Sequence, residues 1–464
     1  LELLLLLLSA GVCEDREVPN VFREHLLNDY DIRALTPDLL RNLMCAVVLP
    51  SRDTPEHKRK GFLSMALFVA LCSAESSSAC VFRAALEKWT PTAGLSHETL
   101  FAWLIQALSA SLASLVSRRP APSLQADAER AGDPSSDGGV GGTGGEPLAP
   151  TEGFFGTEIL FLYYLLYSCQ SFRLFVVSRT DVELVVVPLL RYLYFARFFE
   201  QELPLILTTL IILVILTRDA PLNLMASQTR LPSVPWFSDR YLVDVSLLDL
   251  VFLISLKTSL RNLCTFRHVF LQQLCAGVLG NIAKYFSQIH PSVAHQFVAA
   301  FPLLFPKVSK HQLVAGLLDS LLYTLNLLLF FALSSSPSLI YNLLHQKDHF
   351  ERFQHPSLAN ALLSIKHFTS LLDDPDSDSA DDASAAVMAA IDRGLRSWKA
   401  SSLTDKIKPV RFIYTEEEDG DEFFRPYVWR LLSATLSSTH LMLAIADSAS
   451  PISLTNNLIE IRTP

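Results

Sequence analysis

Residues 178–218 read SRTDVELVVVPLLRYLYFARFFEQELPLILTTLIILVILTR, and this stretch decides the fold class. Thr180-Asp181-Val182-Glu183 has the form of a capping box, in which Thr180 and Glu183 satisfy each other's exposed backbone donors at a helix start. A mostly apolar stretch then continues to Phe199, with Pro188 placed to kink the helix. Pro204 opens a second run, residues 205–216 (LILTTLIILVIL), which the pair Arg218-Asp219 closes. A bilayer span needs about 20 apolar residues, and shorter runs are more often core helices. The run is therefore expected to be a central helix covered on all sides by neighbours. Residues 321–333 (LLYTLNLLLFFAL), interrupted by Asn326, call for the same treatment. The alternative is an integral membrane protein that inserts both runs.

The same helix grammar recurs outward from this block. Thr36-Pro37-Asp38 supplies a cap, a first-turn proline and an acid for the positive helix end, with Leu35 and Leu40 at staple spacing. Thr54-Pro55-Glu56 repeats the device. Ser96 is placed to cap a helix through Leu100, Trp103 and Leu104, and Ser336-Pro337 and His355-Pro356 open two more. Apolar stretches follow at 157–177, 181–199, 205–217, 239–260, 266–288, 294–306 and 311–333, most with short polar breaks between them. Short connections make consecutive helices neighbours, and wide apolar faces need cover on two sides. The expected fold is all-α, a helical-hairpin solenoid of degenerate HEAT or armadillo type, without a strict sequence period.

Composition agrees. Half of the 464 residues are hydrophobic, more than one compact core usually holds. Of 17 glycines, seven fall between Gly132 and Gly145, leaving the rest poor in the residue that tight β-turns need. The expected divisions are N-terminal hairpins at 1–117, a low-complexity insertion at 118–152 and a central solenoid at 153–371. An acidic loop at 372–385 and a C-terminal helical segment at 386–464 complete them. The opening LELLLLLLSAGVC reads as a buried helix with its start missing, and a signal peptide is the rival reading.

Charge is local. The formal net charge of −9 is concentrated in 373–382 (DDPDSDSADD) and 416–422 (EEEDGDE), both expected to be solvated or to dock a basic partner. Without those twelve acids, 38 basic residues face 35 acidic ones. No basic stripe is left for a phosphate backbone, which argues against nucleic acid. Seven cysteines (13, 45, 72, 80, 169, 264 and 275) show no paired spacing. They are expected to be mostly buried thiols in a reducing compartment, facing the cytosol.

Chemistry is sparse. GGVGGTGG (138–145) lacks the preceding strand and the following lysine of a phosphate loop and reads as linker. His345 and His349 stand four apart on an expected helix, with His355 nearby. Gln346 occupies the position where a metalloprotease has its general base, so a solvated helix face is the reading. No nucleophile, cofactor, metal or small-molecule site is expected. Phe423, Phe424, Tyr427 and Trp429 crowd behind the second acidic run, either sealing the last helices or forming a hot-spot surface for a partner.

Three ordered segments resemble the dymeclin family. They are 178–218, PSLIYNLLHQKDHFERFQHPSL (337–358) and FIYTEEEDGDEFFRPYVW (412–429). The stretch 236–286 follows the same order, and about 17–110 aligns more loosely. The resemblance implies a non-enzymatic, cytoplasmic, Golgi-associated peripheral protein. It would serve Golgi organisation and secretory vesicle trafficking through contacts with Golgi membrane or trafficking proteins. Family members carry an N-terminal glycine for myristoylation, whereas this sequence begins at Leu1, which puts membrane anchoring by this chain in doubt.

Overall fold

The computed structural model describes residues 30–48, 55–73, 81–89, 97–117, 156–309, 311–372, 383–398, 403, 409–416 and 428. Residues 1–29, the insertion 118–152, most of the acidic loop, and Phe423, Phe424, Tyr427 and Trp429 lie outside them. Among the described residues every element is helical except one two-stranded ribbon. The helices are α1 (Tyr30–Val48), α2 (Pro55–Cys72), α3 (Val81–Glu87), α4 (His97–Ser117), α5 (Thr157–Ser168) and α6 (Gln170–Val177). They continue with α7 (Glu183–Ala196), α8 (Leu203–Thr217) and α9 (Ala220–Gln228). After strands β1 (Arg230–Ser233) and β2 (Val243–Ser246) come α10 (Leu247–Asn262), α11 (Val269–Ile282), α12 (Pro291–Leu304) and α13 (Gln312–Phe331). The last are α14 (Pro337–His345), α15 (Lys347–Arg352), α16 (Ala359–Leu372) and α17 (Ala383–Ser397).

The chain divides into two compact units. One comprises residues 1–111, 119–172 and 416–464, the other 112–118 and 173–415. In the first, α2 packs on α1 and α5, and α3 fills the angle between α1 and α5. Phe68 and Phe161 meet edge to face at 4.7 Å between centroids, the geometry that the ring quadrupole favours.

The second unit is ordered as two rows. In one, α7, α10, α12, α14 and α17 touch in succession; in the other, α8, α11, α13 and α16 do so. Rungs between the rows join α7 to α8, α10 to α11, α12 to α13 and α14 to α16. The element α8 is buried from Ile206 to Thr217, as the apolar run required. Its threonines turn their hydroxyls inward, Thr208 to the Pro204 carbonyl (3.0 Å), Thr209 to Leu205 (2.6 Å) and Thr217 to Leu213 (2.7 Å). The polar interruptions thus cost little, since each buried hydroxyl keeps an acceptor. Asn326 performs the analogous task in α13. Its amide donates to the Leu322 and Ser357 carbonyls (2.8 Å each), and its oxygen accepts from Asn360 of α16 at 3.0 Å.

Three local expectations are corrected. Thr180 and Glu183 form no capping box: α7 starts at Glu183, Val182 is its N-cap, and no side chain caps it. Arg179 grips the Asp181 carboxylate instead, with Nε to Oδ1 at 2.6 Å, and closes the turn. Its hydrogen bonds and charge hold Asp181 below the usual carboxylate range. Thr36-Pro37 begins no helix, because α1 starts at Tyr30 and runs on through Pro37. The stretch 239–260 is not one helix either. Val243–Ser246 pairs antiparallel with Arg230–Ser233, and Leu231 faces Val245. Ser246 then caps α10 by accepting the Asp249 N–H at 3.0 Å.

Candidate functional site

The arrangement with most interaction chemistry is an extended segment, Pro409–Thr415, held by side chains of the second helical row. Proline opens it, β-branched residues follow, and its burial alternates: Phe412 and Tyr414 are half-buried, while Arg411, Ile413 and Thr415 are exposed. Asn281, near the end of α11, holds the main chain of Phe412 at both ends. Its Oδ1 accepts the Phe412 N–H at 2.8 Å, and its Nδ2 donates to the Phe412 carbonyl at 3.0 Å. This pair of bonds is what a neighbouring β-strand would supply. One residue pair upstream, the Val410 N–H donates to the Tyr323 hydroxyl of α13 at 2.8 Å.

The Phe412 ring seats on bare helix backbone. A Cβ added to Gly277 would lie 3.4 Å from the Phe412 Cβ, and one added to Gly280 only 2.5 Å from Cε2 of the ring. Tyr323 closes the seat from α13, edge on, at 6.4 Å between centroids. Gly277 and Gly280 are three apart, so both open the same face of α11. Asn281 is itself buried at 3% exposure, and its amide also approaches the Thr217 hydroxyl of α8 at 3.5 Å. Asn281, Gly277, Gly280 and Tyr323 carried no local sequence signal for this role, because the partner lies 131 residues away from Asn281. The one hint was a pair of glycines inside an apolar helix of a glycine-poor chain.

In the first unit, Glu416 occupies a cage of its own. Its carboxylate accepts from Arg83 at 2.6 Å and from the Tyr163 hydroxyl at 3.0 Å, and its N–H donates to the Tyr167 hydroxyl at 3.0 Å. Arg83 also donates to the Cys72 carbonyl at 2.7 Å and lies over the Tyr164 ring at 4.9 Å. The first acid of EEEDGDE is therefore largely covered and paired, its side chain 11% exposed; the rest of that run lies outside the described residues.

A third arrangement pins the loop between the strands to α7 and α10. The Tyr194 hydroxyl accepts the Ser238 N–H at 3.1 Å and donates to Asp239 at 2.5 Å. Asp239 pairs with Lys257 at 2.5 Å and lies 4.0 Å from Arg197. Arg197 stacks over Tyr194 and Phe198 at 3.9 and 4.4 Å. Burial raises the Asp239 pKa, but the bonds from Lys257 and Tyr194 outweigh it and hold the carboxyl below its ordinary value.

The sequence-derived candidates fare unevenly. Phe423, Phe424, Tyr427 and Trp429 lie outside the described residues, although Val428 among them is helical and fully buried. His345 and His349 do not share a helix, because α14 ends at His345, α15 begins at Lys347, and Gln346 caps both. His345 stacks on Tyr341, and His355 caps the turn 356–358 by accepting the Ser357 N–H at 3.2 Å. Among the described residues no three His, Cys, Asp or Glu converge as metal ligands would. Cys72, Cys169 and Cys275 are buried, Cys45 is partly so and Cys264 is exposed. Burial pushes the Cys275 thiol far above its ordinary pKa, which makes it inert.

Comparison with known proteins joins these pieces. Dymeclin from Gallus gallus is 31% identical over 304 residues, covering 59% of this chain and 44% of that protein. Dymeclin from Mus musculus gives the same figures. Dymeclin from Drosophila melanogaster is 28% identical over 305 residues, covering 59% and 43%. The chain thus spans less than half the length of these curated relatives. No solved structure matches it. The family model described as Dymeclin, the Dyggve-Melchior-Clausen syndrome protein, matches residues 2–431, which include α7, the glycine seat and the docked FIYTE segment alike. By that match over nearly its whole length, the chain belongs to the Dymeclin family.

Proposed function

We propose that the chain is part of a non-enzymatic peripheral scaffold that serves Golgi organisation and secretory vesicle trafficking through protein–protein contacts. In this reading it works from the cytoplasmic side, with Golgi membrane or trafficking proteins as partners and without cofactor, small-molecule substrate or nucleic acid. The observation that carries it is family membership over residues 2–431. A second support is the pair of helix rows in residues 173–415, which fits a helical-hairpin solenoid of degenerate HEAT or armadillo type. Such stacks offer long side-chain-lined surfaces, and the side-chain grip on an extended segment is the type of contact they use.

An integral membrane protein is the second reading. Glu200–Thr217 and Gln312–Phe331 are long and apolar enough to cross a bilayer. Against it stand their surroundings, since 67% and 61% of the 18-residue apolar windows in those helices are already buried by protein. The test is to localise the complete tagged protein in cells and extract membranes with alkaline carbonate. A Golgi-proximal signal released by carbonate is the expected result. A signal retained in the membrane pellet would favour the integral reading, and a diffuse signal with no Golgi enrichment would overturn the scaffold proposal.

A further inference from the structure

We propose that the seat formed by Gly277, Gly280, Asn281 and Tyr323 is a peptide-binding groove for an extended, aromatic-bearing segment of a partner protein. Residues 409–415 are then its resident, displaceable occupant. The inference deepens the scaffold reading and rests on it for its biological meaning.

Four observations carry it. First, the hydrogen bonds of the groove read main chain alone: Asn281 takes the N–H and C=O of residue 412, and Tyr323 takes the N–H of residue 410. Any extended peptide presents these groups at the same spacing, so the bonds do not depend on sequence. Second, the one side-chain requirement is a flat ring on two bare helix positions, since Gly280 has room for the ring only because it lacks a Cβ. Third, two of the occupant's side chains reach into solvent. Val410 and Ile413 are 55% and 54% exposed, so they add little to retention. Fourth, the seat is built on two helices that also contact each other. Asn281 belongs to α11, Tyr323 to α13, and the two helices pack directly on each other. A tethered occupant competes at an effective concentration of about millimolar, so a partner peptide meets a closed groove until the tether is outcompeted or weakened.

The test uses the full chain and a fluorescein-labelled peptide, KPVRFIYT, which copies residues 408–415. Fluorescence anisotropy is read on the wild type, on Phe412→Ala, which empties the seat, and on Val410→Pro, which removes one main-chain donor at an exposed position. Apparent affinity should rise about fivefold in both variants. Adding Asn281→Ala or Gly280→Ala to Phe412→Ala should abolish the gain, and a KPVRAIYT peptide should not bind. Val410→Pro keeps the test valid should Phe412→Ala fold poorly, as checked by circular dichroism. Equal affinity across all variants, or none up to about 1 mM in any, overturns the groove. A wild-type dimer that Phe412→Ala converts to monomer overturns the choice of occupant, assigning the groove to a second copy. Because binding is measured on purified protein, its failure leaves the localisation result standing, and the reverse also holds.

Discussion

Replacing Gly280 by alanine separates the helix from its occupant in a single measurement. In an ordinary helix interior Gly→Ala is worth about 1 kcal/mol of stabilisation. Here the new methyl would sit 2.5 Å from Cε2 and 3.0 Å from Cδ2 of Phe412, closer than carbon atoms approach. The ring has to leave. A fully buried Phe side chain contributes about 1.5–3 kcal/mol, so a half-buried one contributes about 1 kcal/mol, and the two Asn281 bonds add about 1 kcal/mol each. Gly280→Ala alone should therefore destabilise the chain by about 1–2 kcal/mol. In a Phe412→Ala background the clash is gone, and the same change should stabilise it by about 1 kcal/mol. The cycle predicts a coupling of about 2–3 kcal/mol with a reversal of sign, measurable by urea unfolding of the four proteins. A parallel readout is exchange of the Phe412 amide, which Gly280→Ala should unprotect. If Gly280→Ala has the same effect in both backgrounds, the ring does not occupy that seat.

Other expectations follow from the buried polar groups. Asn326→Leu removes an acceptor of the Asn360 amide and the side-chain donor to the Ser357 carbonyl, and should lower stability by about 1–3 kcal/mol in urea unfolding. Glu416→Gln removes the charge that Arg83 faces and should cost about 1–3 kcal/mol; an unchanged midpoint would mean the cage is not closed in solution. Tyr194→Phe leaves Asp239 and the Ser238 N–H short of a partner, with an expected loss of about 1–3 kcal/mol and faster proteolysis of the 234–242 loop. His268 caps α11 through Nδ1, and burial lowers its pKa below 6.5. Above pH 6.5 both folded and unfolded states hold it neutral, so its contribution is complete. As pH falls below 6.5 the unfolded state takes up the proton first, and stability declines toward the lower folded pKa. The melting-temperature difference between wild type and His268→Asn should therefore shrink or invert between pH 7.5 and 5.5.

Helix content was legible because it depends on local pattern. Residues 205–216 and 321–333 announced buried helices by having no polar face, and the protein buries most of each. Even their threonines and Asn326 are explained within the helix or by the next one. What stayed hidden depended on distant partners. The ribbon of Arg230–Ser233 and Val243–Ser246 escaped because each strand has four residues, too few for a period to declare itself, and Pro232 sits in one of them. Thr180 and Glu183 have the letters of a capping box, yet Arg179 captured Asp181 and shifted the helix start. Asn281 looked like an ordinary residue at a helix end. Its role is set by a segment over a hundred positions downstream, and no windowed pattern reaches that far.

That separation has a consequence for biosynthesis. Chains emerge at about 5–20 residues per second, so the 131 residues between Asn281 and Phe412 take roughly 7–26 s to be made. During that interval a nascent chain can fold α11 and, soon after, α13, leaving the glycine seat vacant. Whatever extended, aromatic-bearing segment is nearby has first claim on it. The order of translation, and not only the final affinities, would then decide which molecules leave the ribosome with their own segment in place.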